Sequence, residues 1–212
     1  SLRVTIHSAI DCAGVQLAIE DAEQVQLRWN GQPIPSAVTG WYVDKSIKTV
    51  ALPGLRQGEN TLEAVIPFGE RTNIEWMYLL GDFGVAVEGA AARIVALPQT
   101  LRFGDITEQG LPFYGGNVTY HIPLETHGGA LTVTAPRYRG VLQTAALDGG
   151  AEQALIFPPY TAALGQPVAG SHTLDMTLYG HRRNGFGPIH LADQTSRWIG
   201  PNAWRTTGAE WN

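Results

Sequence analysis

The sequence predicts an all-β fold, an antiparallel β-sandwich of the jelly-roll kind that is built from two packed units. Hydrophobic residues make up 44% of the 212 residues, which is enough to bury a core, whereas only 16% are charged. The 25 Gly and 13 Pro residues supply many turns. Between these turns, short segments recur in which apolar and polar residues alternate, and this period of two is typical of half-buried β-strands.

The first half of the chain contains six alternating segments that are separated by turns and polar loops. In order they are "LRVTIHSAI", "GVQLAIED", "QVQLRWNG", "KTVALPG", "NTLEAVIPF" and "FGVAVEG". Asn30-Gly31 is a dipeptide preferred in two-residue hairpins, and Pro53-Gly54 marks another turn. The segment "TNIEWMYLLGD" could form a short helix or a strand, and its aromatic and β-branched residues favour the strand.

The second half contains four further alternating segments. They are "NVTYHIPL", "ALTVTAP", "VLQTAALDGG" and "HTLDMTLYG", with turn signals at Gly115-Gly116 and Asp148-Gly149. No segment in either half has the spacing of a long amphipathic helix. Many short strands at this spacing are typical of β-sandwiches and jelly rolls.

A weak internal repeat links the two halves. In the first half a strand leads to "WNGQPI" and later to "NTLEAVI", and in the second half a strand leads to "LDGGAE" and later to "HTLDMTL". We therefore predict one β-sandwich unit over residues 1–96 and a second, jelly-roll unit over residues 97–212. One larger jelly roll that spans both halves is the alternative.

Composition argues against several classes of partner. The net charge is −5, and only Lys45 and Lys48 among the 14 cationic residues are lysines, so nucleic acid is not an expected partner. The lone Cys12 allows no internal disulfide. No stretch of the sequence is long and apolar enough for a membrane span.

The sequence also lacks the common catalytic motifs. There is no G-x-S-x-G, no H-E-x-x-H, no phosphate-binding loop and no paired cysteine. Asp82, Asp105 and Glu108 are carboxylates that could pair, but glycoside hydrolysis needs two carboxyl groups at a defined separation, which a sequence does not contain. We therefore expect a chain that is not itself an enzyme.

Four pieces of the sequence, taken in order, resemble a known domain family. "GLPFYGGNVTYHIPL", "LDGGAE", "SHTLDMTLYG" and "RNGFGPIHL" are similar to the galactose-binding-like jelly roll of large bacterial glycoside hydrolases, namely the sugar-binding domain of family 2 enzymes and of rhamnosidase-type relatives. "GENTLEAVIPFG" with "YLLGDFGV" resembles the non-catalytic segment that precedes this module in some such enzymes. The resemblance covers most of residues 20–205.

The resemblance implies a non-catalytic carbohydrate-binding module that is part of a polysaccharide-degrading enzyme. Its partners would be a plant or microbial polysaccharide or oligosaccharide and the catalytic domain of the parent enzyme. The parent would be secreted, periplasmic or on the cell surface. We expect no cofactor, although jelly-roll modules of this kind often hold a structural calcium ion through carboxylate and carbonyl oxygens.

Aromatic residues in loops are the first candidates for contact with a sugar. An exposed Trp or Tyr ring can bury the C–H face of a sugar ring, while neighbouring polar groups satisfy its hydroxyls. The candidates that lie in predicted loops are Trp41, Tyr42, Tyr114, Trp198 and Trp204. The alternative for each ring is a place in the core of the sandwich.

The stretch "GHRRNGFGP" supplies the polar candidates. Arg182, Arg183 and Asn184 could donate hydrogen bonds to a sugar, and arginine pairs well with the carboxylate of a uronic acid. In the structural alternative, an arginine pairs with an internal carboxylate and Asn184 bonds the backbone of the turn. Two rival functions stay open as well: a brace for a catalytic domain with no ligand of its own, and a contributor to an active site completed by another domain.

Overall fold

The computed structural model describes residues 1–69, 77–89, 91–181 and 184–185. Within these ranges the chain is all-β, and the fold class predicted from the sequence is confirmed. The chain divides into two compact units, which meet between Pro112 and Phe113. Residues 97–112 group with the first unit, where the Val85 N–H donates to the Gly110 carbonyl at 2.8 Å. The boundary predicted at residue 96 and the packing of the two units on each other stay predictions.

The first unit is a sandwich of a six-stranded and a four-stranded sheet. Its strands are β1 Leu2–Ser8, β2 Gln16–Glu20, β3 Gln26–Trp29, β4 Gln32–Ile34, β5 Val38–Tyr42, β6 Asp44–Ala51, β7 Gly58–Val65, β8 Tyr78–Leu80, β9 Gly84–Glu88 and β10 Ala91–Val95. The larger sheet has the order β4-β3-β7-β1-β10-β9, and the smaller has the order β5-β6-β2-β8. All strand pairs are antiparallel except β1 with β10.

One hydrophobic core holds these two sheets together. Leu27 on β3 and Leu62 on β7 meet Leu17 on β2 and Val50 on β6, and each of these side chains is almost completely buried. Their spacing along the strands follows the period of two that the sequence shows, because alternate residues of a strand face the same side. Burying a leucine or valine in this way stabilises the fold by about 1.5–3 kcal/mol per side chain.

The second unit is smaller and has its own core. Its strands are β11 Val118–Thr126, β12 Thr132–Thr134, β13 Leu142–Leu147, β14 Gln153–Ala154, β15 Thr161–Ala163 and β16 Gly170–Tyr179. They form a four-stranded sheet of order β11-β16-β13-β14 and a two-stranded sheet of β12 and β15. The core between these sheets is built on Ala145, Leu155, Ala162 and Met176.

The internal repeat predicted from the sequence is present in the topology. The run β4-β3-β7-β1 of the first unit corresponds, strand for strand and in chain order, to β14-β13-β16-β11 of the second. In the other layer, the antiparallel pair β2 and β6 corresponds to β12 and β15. The second unit is therefore a reduced version of the first, without counterparts of β5, β8, β9 and β10 among the described residues.

The hairpins of the repeat share the same turn geometry. Asn30 and Asp148 both have φ of 50°, and the glycines that follow them have φ of 79° and 68°. Two successive positive φ angles define the type I′ turn that suits the twist of a β-hairpin, which is why Asn-Gly and Asp-Gly stand here. Both sequence predictions of hairpins are confirmed.

Five strands were not among the predicted alternating segments, namely β4, β5, β10, β14 and β15. β4 and β14 are the short second strands of the two hairpins, with three and two residues. β5 has no alternation of buried and exposed residues, because it lies at the edge of its sheet and contains a bulge. β15 is only three residues long, and β10 is mostly exposed. The strand favoured for "TNIEWMYLLGD" is present at β8, and residues 72–76 of that segment lie outside the described residues.

Candidate functional site

The strongest candidate site lies on the outer face of the four-stranded sheet of the first unit. The strand register places Gly40, Thr49, Ala18 and Tyr78 in one row across all four strands. Their neighbours Leu17 and Val50 point into the core, so this row faces away from it. The row has a small side chain on each of the two central strands.

Two tyrosines from the opposite edges of the sheet meet on this face. The ring of Tyr42 on β5 contacts the ring of Tyr78 on β8, with 5.4 Å between the centroids and a tilt of 53°. Such a tilted arrangement is one that aromatic pairs prefer. Ala18 and Thr49, which lie between them in the register, are 0% and 4% exposed. We call Tyr42 and Tyr78 the tyrosine platform.

Polar groups cluster at the start of β6, next to the turn that follows Tyr42. The Ser46 hydroxyl lies 2.8 Å from Asp44 Oδ1 and 3.4 Å from Glu20 Oε1. Asp44 Oδ1 also accepts a hydrogen bond from the Ser46 N–H at 2.9 Å, which fixes this turn. Glu20 is two residues from Ala18, so its carboxylate lies on the same face of the sheet as the tyrosine platform. Carboxylate oxygens accept hydrogen bonds, as sugar hydroxyls require.

The prediction that Trp41 and Tyr42 lie in a loop is wrong, because both belong to the edge strand β5. Trp41 points to the other face of this strand. It is 56% exposed and stands directly across from Lys48. The next residue but one, Val43, has φ of 63°, a left-handed conformation that a β-branched residue adopts only under strain. Strained residues of this kind cluster at functional sites, so the tip of this hairpin is a candidate for contact with a ligand.

The remaining predicted residues lie in the second unit or outside the described residues. The Tyr114 hydroxyl donates to the Asn117 carbonyl at 2.9 Å, which ties the hydroxyl into a turn while the ring stays partly exposed. Asn184 is half-buried. Tyr114 and Asn184 thus belong to a different unit from Trp41 and Tyr42. The predicted residues that lie outside the described residues are Arg182, Arg183, Trp198 and Trp204.

Four members of the site were not among the residues predicted from the sequence, namely Tyr78, Glu20, Asp44 and Ser46. A strand aromatic such as Tyr78 looks like a core residue in the sequence, because alternation alone does not say which face of a sheet is outside. One feature of the sequence could have pointed to this site, namely the small residues Ala18 and Thr49 at the centres of two strands whose other residues are bulky. Only the register shows that these strands are neighbours.

The second unit has a shallow concave surface of its own. A cavity of about 370 Å³ lies between the turn after β13 and the segment after β15. It is lined by Leu147, Gly150, Ala151, Gln153, Ala163, Leu164 and Gly165. Its walls are two leucines, two alanines and two glycines, with Gln153 as the one polar side chain.

Polar pairs also cross the sheet of the second unit. Tyr179 donates to Glu152 Oε2 at 2.9 Å, and this hydrogen bond raises the pKa of the tyrosine. His121 Nδ1 lies 2.7 Å from Asp175 Oδ1, with the imidazole largely exposed. No cluster of three or more His, Cys, Asp or Glu side chains that could hold a metal ion is found in the part of the chain that the structure describes. The calcium hypothesis stays a prediction.

Comparisons with known proteins leave the chain without an assigned relative. No family model, no curated protein and no solved structure matches it. Within the described residues, no helix is both long enough and apolar enough to cross a membrane.

Proposed function

We propose that this chain is a non-catalytic carbohydrate-binding module of a larger polysaccharide-degrading glycoside hydrolase, and that the tyrosine platform is the surface that contacts the sugar. The observation that supports it most is the contact of Tyr42 with Tyr78 on the outer face of a sheet, above two buried small residues. A core role would place these rings between the two sheets, where Leu17 and Val50 lie instead.

The chemistry of the platform suits a sugar ring. The rings offer apolar area to the C–H face of the sugar, while Glu20, Asp44 and Ser46 offer oxygens to hydroxyl groups at its rim. One or two sugar rings bury little area, and association itself has an entropic cost. The expected affinity is therefore modest, with dissociation constants from micromolar to millimolar.

Affinity gel electrophoresis of the purified chain against neutral and uronic-acid polysaccharides, with and without calcium, tests this proposal. We expect one polysaccharide to retard the chain and Tyr42→Ala to weaken that binding about tenfold, the equivalent of about 1.4 kcal/mol for the lost stacking. Trp41→Ala tests the other face of the same strand. Phe68→Ala is the matched control, because Phe68 is another exposed aromatic ring of the first unit and lies outside the platform.

A brace for a catalytic domain is the second candidate function. The adjacent residues Ile156 and Phe157 are 57% and 78% exposed in the second unit, and neighbouring apolar side chains of this kind suit a protein contact. A folded chain that no glycan retards, whose Tyr42→Ala variant behaves like the parent, would overturn the binding proposal and favour the brace.

A further inference from the structure

The two units carry the same backbone clasp at the same place in the repeat. In the first unit Asn30 N–H donates to the Thr61 carbonyl at 2.8 Å, and Thr61 N–H donates to Asn30 Oδ1 at 2.8 Å. In the second unit Asp148 N–H donates to the Thr173 carbonyl at 2.9 Å, and Thr173 N–H donates to Asp148 Oδ1 at 2.8 Å. Each clasp joins a hairpin turn to the long strand beside it.

The residue before each threonine extends the clasp to a third segment. In the first unit, Asn60 accepts from Asn30 Nδ2 at 3.2 Å and from the Arg56 N–H at 3.1 Å, and it donates to the Arg56 carbonyl at 2.7 Å. In the second unit, His172 Nδ1 lies 2.6 Å from Asp148 Oδ2, and His172 Nε2 lies 3.0 Å from the Val168 carbonyl. Both residues reach a backbone group four positions earlier, so His172 replaces Asn60.

The replacement changes the chemistry of the clasp. An amide has a donor and an acceptor at every pH, whereas a neutral imidazole has only one N–H. Both partners of His172, a carboxylate and a backbone carbonyl, are acceptors, so both hydrogen bonds exist together only in the imidazolium form. The side chain of His172 is only 10% exposed, so water has little access to replace a lost partner.

We propose that His172 is a pH-dependent clamp between the two loops that flank the concave surface of the second unit. Asp148 belongs to the turn after β13, beside Leu147 and Gly150 of the cavity wall, and Val168 follows Gly165 of the opposite wall. Loss of the proton leaves the Nε2 lone pair facing the Val168 carbonyl. The contact with the carboxylate is the stronger of the two, so the hydrogen bond to the Val168 carbonyl is the one lost. That carbonyl then keeps only its hydrogen bond from the Thr126 hydroxyl, at 2.7 Å, which loosens the loop at Val168.

The two carboxylates that act on His172, those of Asp148 and Glu125, both raise its pKa. The hydrogen bond to Asp148 and then the one to the Val168 carbonyl raise the pKa of His172 above its ordinary 6.5, and Glu125 on β11 adds to this. The Glu125 carboxylate itself is engaged by the Ser171 hydroxyl. The hydrogen bonds from His172 and the Thr173 N–H lower the pKa of Asp148 below its ordinary 3.8. The segment of residues 165–169 contains no titratable side chain.

The raised pKa of His172 and the lowered pKa of Asp148 determine how the stability of the clamp depends on pH. Because the pKa of His172 is raised in the folded chain, its contribution is fully present below pH 6.5 and is lost as the pH rises through the folded value. Because the pKa of Asp148 is lowered, its contribution is present above pH 3.8 and is lost as the pH falls through the folded value. The clamp is therefore complete between pH 3.8 and pH 6.5, and it loosens as the pH rises through the raised pKa of His172.

An NMR titration of the whole ¹⁵N-labelled chain from pH 5 to pH 9 tests the proposal. We expect His172 to titrate above 6.5 with both ring nitrogens protonated at low pH, and the amide signals of Val168 and Ala169 to follow the same midpoint. The Arg56 amide, held by Asn60 in the neutral clasp, serves as the internal control and should not follow it. A neutral single tautomer of His172 throughout the range would overturn the proposal.

A double variant separates the clamp from other titrations. Asp148→Asn with His172→Asn places the side chains of the first unit's clasp in the second unit. We expect it to keep the loop closed and to abolish the titration of the Val168 and Ala169 amides, whereas His121→Gln, which alters the exposed His121–Asp175 pair, should leave that titration unchanged. Persistence of the loop titration in the double variant would contradict the proposal. If the double variant does not fold, the titration of the parent chain alone decides.

Discussion

At the scale of single residues, Val43 is the clearest sign of a local conflict between sequence and backbone. Its φ of 63° places a β-branched residue in the left-handed region, which glycine and asparagine adopt at little cost. The side chain is exposed, so packing does not explain the choice of valine. The strain is maintained by the short connection between Tyr42 and Asp44, which pair directly across it.

Replacing Val43 by Asn should therefore stabilise the chain. We expect a gain of about 1 kcal/mol in the free energy of unfolding, because asparagine tolerates the left-handed region at little cost. Urea denaturation followed by tryptophan fluorescence measures the change. Val38→Asn, which alters an exposed valine without a positive φ on the preceding strand β5, is the control and should not stabilise the chain.

Asn60 is the opposite case, a polar residue on which the fold depends. It is 0% exposed, and its amide satisfies both the N–H and the carbonyl of Arg56. Asn60→Ala would remove the partners of these partly buried groups and of the Asn30 amide, so we expect a loss of about 2–4 kcal/mol in the free energy of unfolding. Equilibrium urea unfolding measures the loss, and a value within 0.5 kcal/mol of zero would show that water replaces the amide. Gln57→Ala, at an exposed neighbouring position, is the control.

At the scale of elements, the end of β16 depends on a close approach of backbone to backbone. A Cβ at Gly180 would lie well inside van der Waals contact with the carbonyl oxygens of Gly115 and Gly116. The same approach allows Asn117 Oδ1 to accept the Gly180 N–H at 3.2 Å. Gly180 is thus a position at which the turn "YGGN" leaves no room for a side chain.

Gly180→Ala should separate β16 from this turn. We expect a loss of about 1–3 kcal/mol in stability, the usual effect of overpacking, with hydrogen exchange at the Gly180 position rising first. Gly185→Ala is the control, because a Cβ there meets no atom within 4 Å. Equal stability of the two variants would show that the turn at Gly115 and Gly116 moves to accommodate the added methyl group.

The strands and hairpins could be predicted from the sequence more fully than the site could. Alternation located β2, β7 and β16, and the Asn-Gly and Asp-Gly dipeptides located both type I′ turns, because these signals depend on neighbouring residues. The tyrosine platform depends on the register that pairs the β5–β6 hairpin with β2, and β2 with β8, and these three segments are far apart in the chain. The bulge in β5 also shifts that register, and the local sequence does not predict the bulge.

At the scale of the whole molecule, each unit has a core of its own, so damage to one core should stay in that unit. Leu17→Ala in the first unit and Leu155→Ala in the second each remove a fully buried side chain, and each should lower the stability of its own unit by about 2–5 kcal/mol. Native-state hydrogen exchange distinguishes the two. Leu17→Ala should reduce protection in β7 and leave β16 unchanged, and Leu155→Ala should do the reverse. Equal loss in both units would indicate a single cooperative fold.

The strand order of the second unit has a consequence for how the chain behaves in concentrated solution. β1 is covered by β10 in the first unit, but its counterpart β11 ends its sheet among the described strands. A nine-residue strand with a free side is a template on which further chains could assemble. Pro123 stands in the middle of that strand, where its missing N–H interrupts the row of donors, and the charged Glu125 follows two residues later. The missing N–H of this one proline thus disfavours edge-to-edge aggregation of the chain.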